Sequence, residues 1–170
     1  PQMPNQLSPI VEQRIVAFCR AHCVGHAILR VPGIYAAERL PLARLRAGTP
    51  VLRSADDVYT NHIHADDLAA IAAQALVATH VNGVYNACDD TALAMGDWFD
   101  LIADRAGLPR PPRIARSDAP SCIPSSLLSF MSESRRVLNR RLKDELGVRL
   151  RYPTVHEGLP ARIDPKGQGS

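Results

Sequence analysis

At 170 residues the chain suits one compact domain, or one domain with a small lobe. Hydrophobic residues make up 46% and charged residues 22%, the balance of a folded globular protein and not of a disordered one. The net charge of +3 gives no reason to expect nucleic acid, and no run of about 18 apolar residues exists to cross a membrane.

The amino terminus, PQMPNQLSPIVEQ, has no basic start followed by an apolar run, so no signal peptide is expected. Position 1 is not methionine, and more polypeptide is expected ahead of it. Ser8 suits a helix cap with Pro9 at the first helical position. Val11, Ile15 and Phe18 then fall on one helix face, at i, i+4 and i+7. After Gly25, residues 27–31 are mostly apolar without clean alternation, which reads as a strand buried on both faces of a parallel sheet. Ligands of such sheets lie beyond the carboxyl ends of the strands, where Pro32, Gly33, Ile34 and Tyr35 follow. Residues 41–47 form a predicted short helix ended by Gly48, and 51–52 and 58–63 read as extended.

The next helix opens at residues 65–67, with Asp66 or Asp67 as its cap and Leu68, Ile71, Ala72, Ala75 and Leu76 as its buried stripe. Asn82-Gly83 is a predicted turn, 84–88 a strand, and 97–106 a helix stopped by Gly107 and Pro109. Helices and strands alternate, so the expected fold class is a layered α/β sheet. A proline-rich crossing segment spans 109–126. Helices are expected over 127–136 and 139–145, an extended stretch over 147–152, a last turn over 155–159 and a tail from Pro160.

Several patterns invite chemistry. His62-x-His64-x-x-Asp67 resembles the H-x-H strand ends of metal-dependent hydrolases, but such a site needs histidines and an acid at later strand ends, and the later histidines, His80 and His156, fall in a helix end and a terminal turn. The plainer reading has one histidine facing inward and an aspartate capping the helix. Ser132 and Ser134 lack a G-x-S-x-G context, which argues against a hydrolase nucleophile. Trp98 and Phe99 read as packing residues. Arg135, Arg136, Arg140, Arg141, Lys143, Arg149 and Arg151 form a basic cluster beside Asp144 and Glu145. It is read either as a solvated helix face or as a contact for a phosphorylated or acidic substrate. The near absence of aromatic residues there speaks against nucleic acid. Cys19, Cys23, Cys88 and Cys122 are scattered without a C-x-x-C, so reduced thiols and a cytoplasmic setting are expected.

Four blocks, RVPGIYAAERL, YTNHIHADDLA, NGVYNACDD and RRLKDELGVRLRYPTVHEGL, together resemble the carboxy-terminal half of the extended short-chain dehydrogenases, the NAD-dependent epimerase/dehydratase-like group. The similarity covers about residues 8–159, and the blocks come in the family's order. It implies the later strands of a Rossmann-like parallel sheet over 1–115, a small C-terminal α/β substrate lobe over 116–159, and NAD or NADP as cofactor. On the family's R-x-x-N-x-Y-G-P segment, Pro32, Gly33 and Ile34 would line the cofactor. Tyr35, His64, Asn86 and Arg135 would serve a small, sugar-like carbonyl or hydroxyl substrate.

The departures matter as much. Gly33 stands where the family carries asparagine, and Val148 where it carries tryptophan. No G-x-x-G-x-x-G occurs, so the turn that grips a dinucleotide pyrophosphate is missing from these residues. The helix before residues 27–31 also lacks the Tyr-x-x-x-Lys pair that moves a proton beside the nicotinamide. The expectation is a fragment or degenerate member of such an oxidoreductase that binds no dinucleotide tightly by itself. A non-catalytic Rossmann-like binding or regulatory module is the alternative. An apolar strand without its usual neighbour further predicts a homodimer through an unpaired sheet edge.

Overall fold

The computed structural model describes residues 7–78, 81–128, 131–132 and 134–165. Helix α1 (Leu7–Ala21) leads into strand β1 (His26–Arg30), then β2 (Gly33–Tyr35), a single 3-10 turn and α2 (Leu42–Arg46). Ser8 therefore lies inside α1 instead of ahead of it. Gly48, with φ 62, turns the chain after α2 into β3 (Val51–Leu52). Strands β4 (Tyr59–Thr60) and β5 (His62–His64) precede helix α3 (Ala65–Val77). Strand β6 (Asn82–Asn86) follows, then β7 (Leu93–Ala94) and α4 (Met95–Ala106), which stops at left-handed Gly107. Strand β8 (Arg113–Ile114) and the short helices α5 (Ala119–Cys122), α6 (Ser125–Leu128), α7 (Arg140–Leu146) and α8 (Val155–Gly158) complete the described chain.

The chain is α/β with parallel pairing. β1 runs parallel to β6, β2 to β5 and β3 to β8, while β4 and β7 pair antiparallel. The β1–β6 register ends at the Arg30–Asn86 rung, after which the Ala87 N–H donates to the Arg30 carbonyl at 2.9 Å. Beyond that rung the two strands part and β5 enters between their continuations. Gly33 N–H donates to the Asn61 carbonyl at 3.2 Å on one side, and Asp89 N–H donates to the His62 carbonyl at 2.8 Å on the other.

Two apolar clusters hold these pieces. One gathers Ile63, Ile71, Val81, Tyr85, Leu142 and Leu146, so α3 and α7 pack on the β5–β6 region. The other gathers Tyr35, Val51, Leu52, Trp98, Phe99, Ile102, Met131 and Val155 around α4. Residues of each cluster come from both sides of position 115.

Several expectations change. The face of Val11, Ile15 and Phe18 points outward, and these residues are 50%, 42% and 61% exposed. Leu76 is 87% exposed and leaves the α3 stripe to Leu68, Ile71, Ala72 and Ala75, because the helix ends one residue later with no described layer beyond it. Asn82-Gly83 begins strand β6 instead of forming a turn, with Gly83 supplying a φ of 147. Of the helix expected over 127–136, only Leu127 and Leu128 are α-helical among the described residues; 134–139 run as an irregular strap held by side chains. Residues 129, 130 and 133 of that helix, and His80, lie outside the described residues.

Candidate functional site

Parallel strands that part company leave a crevice at their carboxyl ends, the place where sheets of this kind take ligands. Here the rim is Val31, Pro32, Gly33 and Ile34, with Val31, Gly33 and Ile34 exposed. Opposite them runs the strap. Asn61, just ahead of β5, joins the two sides: its carbonyl accepts from Gly33 N–H, its Nδ2 donates to the Arg135 carbonyl at 2.9 Å, and its Oδ1 accepts from Val137 N–H at 3.1 Å. One asparagine side chain thus pairs with the strap as a neighbouring strand would.

Two further asparagines anchor the same segment. Asn86 Nδ2 donates to the Leu138 carbonyl at 3.0 Å. Buried Asn139 donates to the Cys88 carbonyl and to Asp90 Oδ1, both at 2.8 Å. At the strap's start, Tyr59 N–H donates to Ser134 Oγ at 3.1 Å and Arg135 N–H to the Tyr59 carbonyl at 3.3 Å. Held this way, the strap presents Arg135, Arg136 and a 79%-exposed Leu138 to solvent beside the rim.

Behind the crevice lies a dense ring cluster. Tyr35 is only 2% exposed, with its ring edge-on to His64 at 5.2 Å and to Trp98 at 5.5 Å between centroids. His62 stacks on Trp98 at 4.3 Å, and His64 on Tyr152 at 4.1 Å. Burial pushes the Tyr35 phenol above its ordinary range and pushes His62 down to about 4. Asp89, also buried, is pushed up to about 6 by desolvation although the Thr91 backbone and hydroxyl oppose the shift. Its Oδ1 accepts from Thr91 N–H at 2.9 Å. Its Oδ2, like His62 Nδ1, has no hydrogen-bond partner among the described residues.

The cap of α3 is His64, whose Nδ1 accepts from Asp66 N–H at 3.2 Å, and not Asp66 or Asp67. Asp67 is buried and does different work. Its two oxygens accept from Arg151 N–H at 2.8 Å and Tyr152 N–H at 2.9 Å, fastening the stretch expected to be extended to the start of α3. No group of three or more metal-ligating side chains is arranged to hold an ion among the described residues.

The residues singled out by sequence are therefore distributed in two layers. Pro32, Gly33, Ile34 and Arg135 lie at the surface of the crevice, and Asn86 holds the strap beside it. Tyr35 and His64 lie beneath. Sequence reasoning passed over Tyr59, Asn61 and Leu138, and took Arg136 only as one member of a charge cluster. An asparagine inside an extended run, a position strands disfavour, was the available signal for Asn61. A hollow of about 540 Å³ lies elsewhere, beside β1 and α3 near His26 and Leu76.

Comparison with known proteins places the fold. No family profile matches the chain, and no curated protein does. Among solved structures, a conserved protein of unknown function from Silicibacter pomeroyi superposes with a TM-score of 0.67 at 34% identity, over 78% of this chain and 46% of that one. A human epimerase family protein crystallised with NADPH matches at TM-score 0.65 and 19% identity, over 79% of this chain and 47% of its own. UDP-glucose 4-epimerase from Thermus thermophilus, in complex with NAD, matches at TM-score 0.62 and 18% identity, over 92% and 50%. The chain thus spans about half the length of the structures it matches, and its fold is that of part of a Rossmann-fold epimerase.

Proposed function

We propose that this chain forms the later part of an NAD(P)-dependent epimerase/dehydratase-like oxidoreductase acting on a small, sugar-like carbonyl or hydroxyl substrate. The carrying observation is the parting of β1 and β6 around β5, which leaves Val31, Gly33 and Ile34 exposed at a carboxyl strand end in a fold shared with half of NAD- and NADPH-bound structures. Exposed Gly33 fits one end of a dinucleotide. With no side chain at this exposed position, a flat ring could approach the backbone directly. A bound nicotinamide would supply or accept the hydride. Pro32, Gly33 and Ile34 would form the wall against it, Arg135 and the strap would face the substrate, and buried Tyr35 and His64 would support that wall from within. The pyrophosphate grip comes from residues other than these, since the sequence holds no glycine-rich turn of the required kind.

One observation favours the second reading, a binding module without hydride chemistry. Helix α1 carries neither tyrosine nor lysine along Leu7–Ala21, so it offers no proton-transfer pair.

Saturation-transfer NMR on the chain, with reduced nicotinamide riboside and with adenosine as separate, phosphate-free probes, tests the first reading. Transfer to the nicotinamide ring, absent for adenosine and reduced in Gly33→Leu, is expected. No contact with the nicotinamide probe overturns it, and micromolar binding of whole NADP by this chain overturns the placing of the pyrophosphate grip in other residues.

A further inference from the structure

Most cations around the crevice are already neutralised. Arg140 pairs with Asp144, Arg141 with Glu145, Lys143 with Asp90, and Arg30 with Glu12. On α7 the basic cluster seen in the sequence therefore dissolves into two i,i+4 ion pairs and one pair to Asp90 after β6. Arg136 differs. Its guanidinium lies over the Tyr59 ring at 4.9 Å from the centroid, and no carboxylate pairs with it among the described residues. Arg136 is exposed and Tyr59 is 41% exposed, so the stack lies open to solvent.

A freely rotating surface arginine must lose side-chain entropy before it holds an anion. Stacking removes part of that cost beforehand, because a guanidinium lying on an aromatic face keeps its N–H edge in plane and free. The backbone beneath is held as well. Tyr59 accepts Arg135 N–H at its carbonyl and donates its own N–H to Ser134 Oγ, while Asn61 grips the strap on either side of Arg136 through Arg135 O and Val137 N–H. The same Asn61 takes Gly33 N–H, which puts the strap two hydrogen bonds from the crevice rim.

We propose that Arg136, fixed on Tyr59 by the strap, is an anion subsite that receives a phosphate or carboxylate group of the small substrate. This deepens the reading of the crevice as a substrate cleft, and rests on it for the subsite's role. Exposed Leu138, two residues on, supplies an apolar contact for the part of the ligand adjoining that anion. A planar fork opposite two oxygens gives paired N–H···O bonds, which suits phosphate and carboxylate alike.

The test uses the arginine Nε–H signals of the chain, titrated at constant ionic strength with inorganic phosphate, malonate, and chloride as control. A saturable shift at Arg136, with Arg149 unmoved, is expected. A response to phosphate alone assigns a phosphorylated substrate, and a response to both anions includes carboxylates. Arg136→Gln should abolish the saturable response, and Tyr59→Leu, which keeps the charge but removes the platform, should weaken binding about tenfold. Spectra of each variant report whether its fold is intact. Equal, non-saturating shifts at Arg136 and Arg149, or unchanged affinity in Tyr59→Leu, overturn the proposal. Because no nucleotide is present, a failure here is separate from a failure of the nicotinamide test.

Discussion

Burial moves His62 and Asp89 in opposite directions across one pH range, and the two sit on neighbouring backbone, joined by the Asp89 N–H to His62 carbonyl bond. His62 falls from 6.5 to about 4, so between those values the unfolded chain holds a proton that the folded chain refuses. That contribution makes the fold more stable as pH rises. Asp89 climbs from 3.8 to about 6, so there the folded chain holds the proton, and its contribution makes the fold less stable as pH rises. Each shift corresponds to about 3 kcal/mol, so the two nearly cancel between pH 4 and 6. Asp89→Asn should therefore expose the His62 slope, with melting temperature rising over that range. His62→Phe, which keeps a ring on Trp98, should expose the opposite slope. Parallel melting profiles for both variants and the unaltered chain would refute the pairing.

Short strands of two to five residues cannot define an arrangement alone, and here side chains finish what backbone ladders begin. Asp67 ties residues 151–152 to α3 through two backbone N–H groups. Asn61 does the same for the strap, and its loss would take the acceptor from the part-buried Val137 N–H at a cost of about 1 kcal/mol. Asn61→Ala should thus speed amide exchange at Val137 while leaving the β6 amide of Tyr85 protected. Unchanged exchange at Val137 would show that the strap is held by something else. The expected helix over 127–136 gave way for the same reason. Its helical propensity competed with asparagine anchors far away in sequence, which no local pattern reveals.

At the scale of the molecule, β1 pairs only with β6 among the described residues, and its other edge opens beside the hollow near His26 and Leu76. Exposed Ile10, Val11, Ile15 and Phe18 on α1 and Leu76 and Val77 on α3 add apolar surface. An edge and apolar faces together invite association. The chain in solution is expected to scatter as a dimer or larger species, with Leu76→Lys and Phe18→Lys together shifting it toward monomer. A monodisperse monomer at micromolar concentration would rule this out.

The sequence by itself determined the α/β alternation, the helices α3 and α4, strand β1 and the position of the Pro32-Gly33 strand end, because these depend on local periodicity, caps and turn residues. It also carried the missing glycine turn and tyrosine–lysine pair, which are plain facts of composition. Only the tertiary structure decided that β5 slips between the continuations of β1 and β6, and that Tyr35 and His64 are buried. It also decided that Arg136 keeps its charge unneutralised among the described residues while Arg140 and Arg141 do not. Those outcomes depend on which distant side chains meet, and contact between residues far apart along a chain leaves no periodic trace in it.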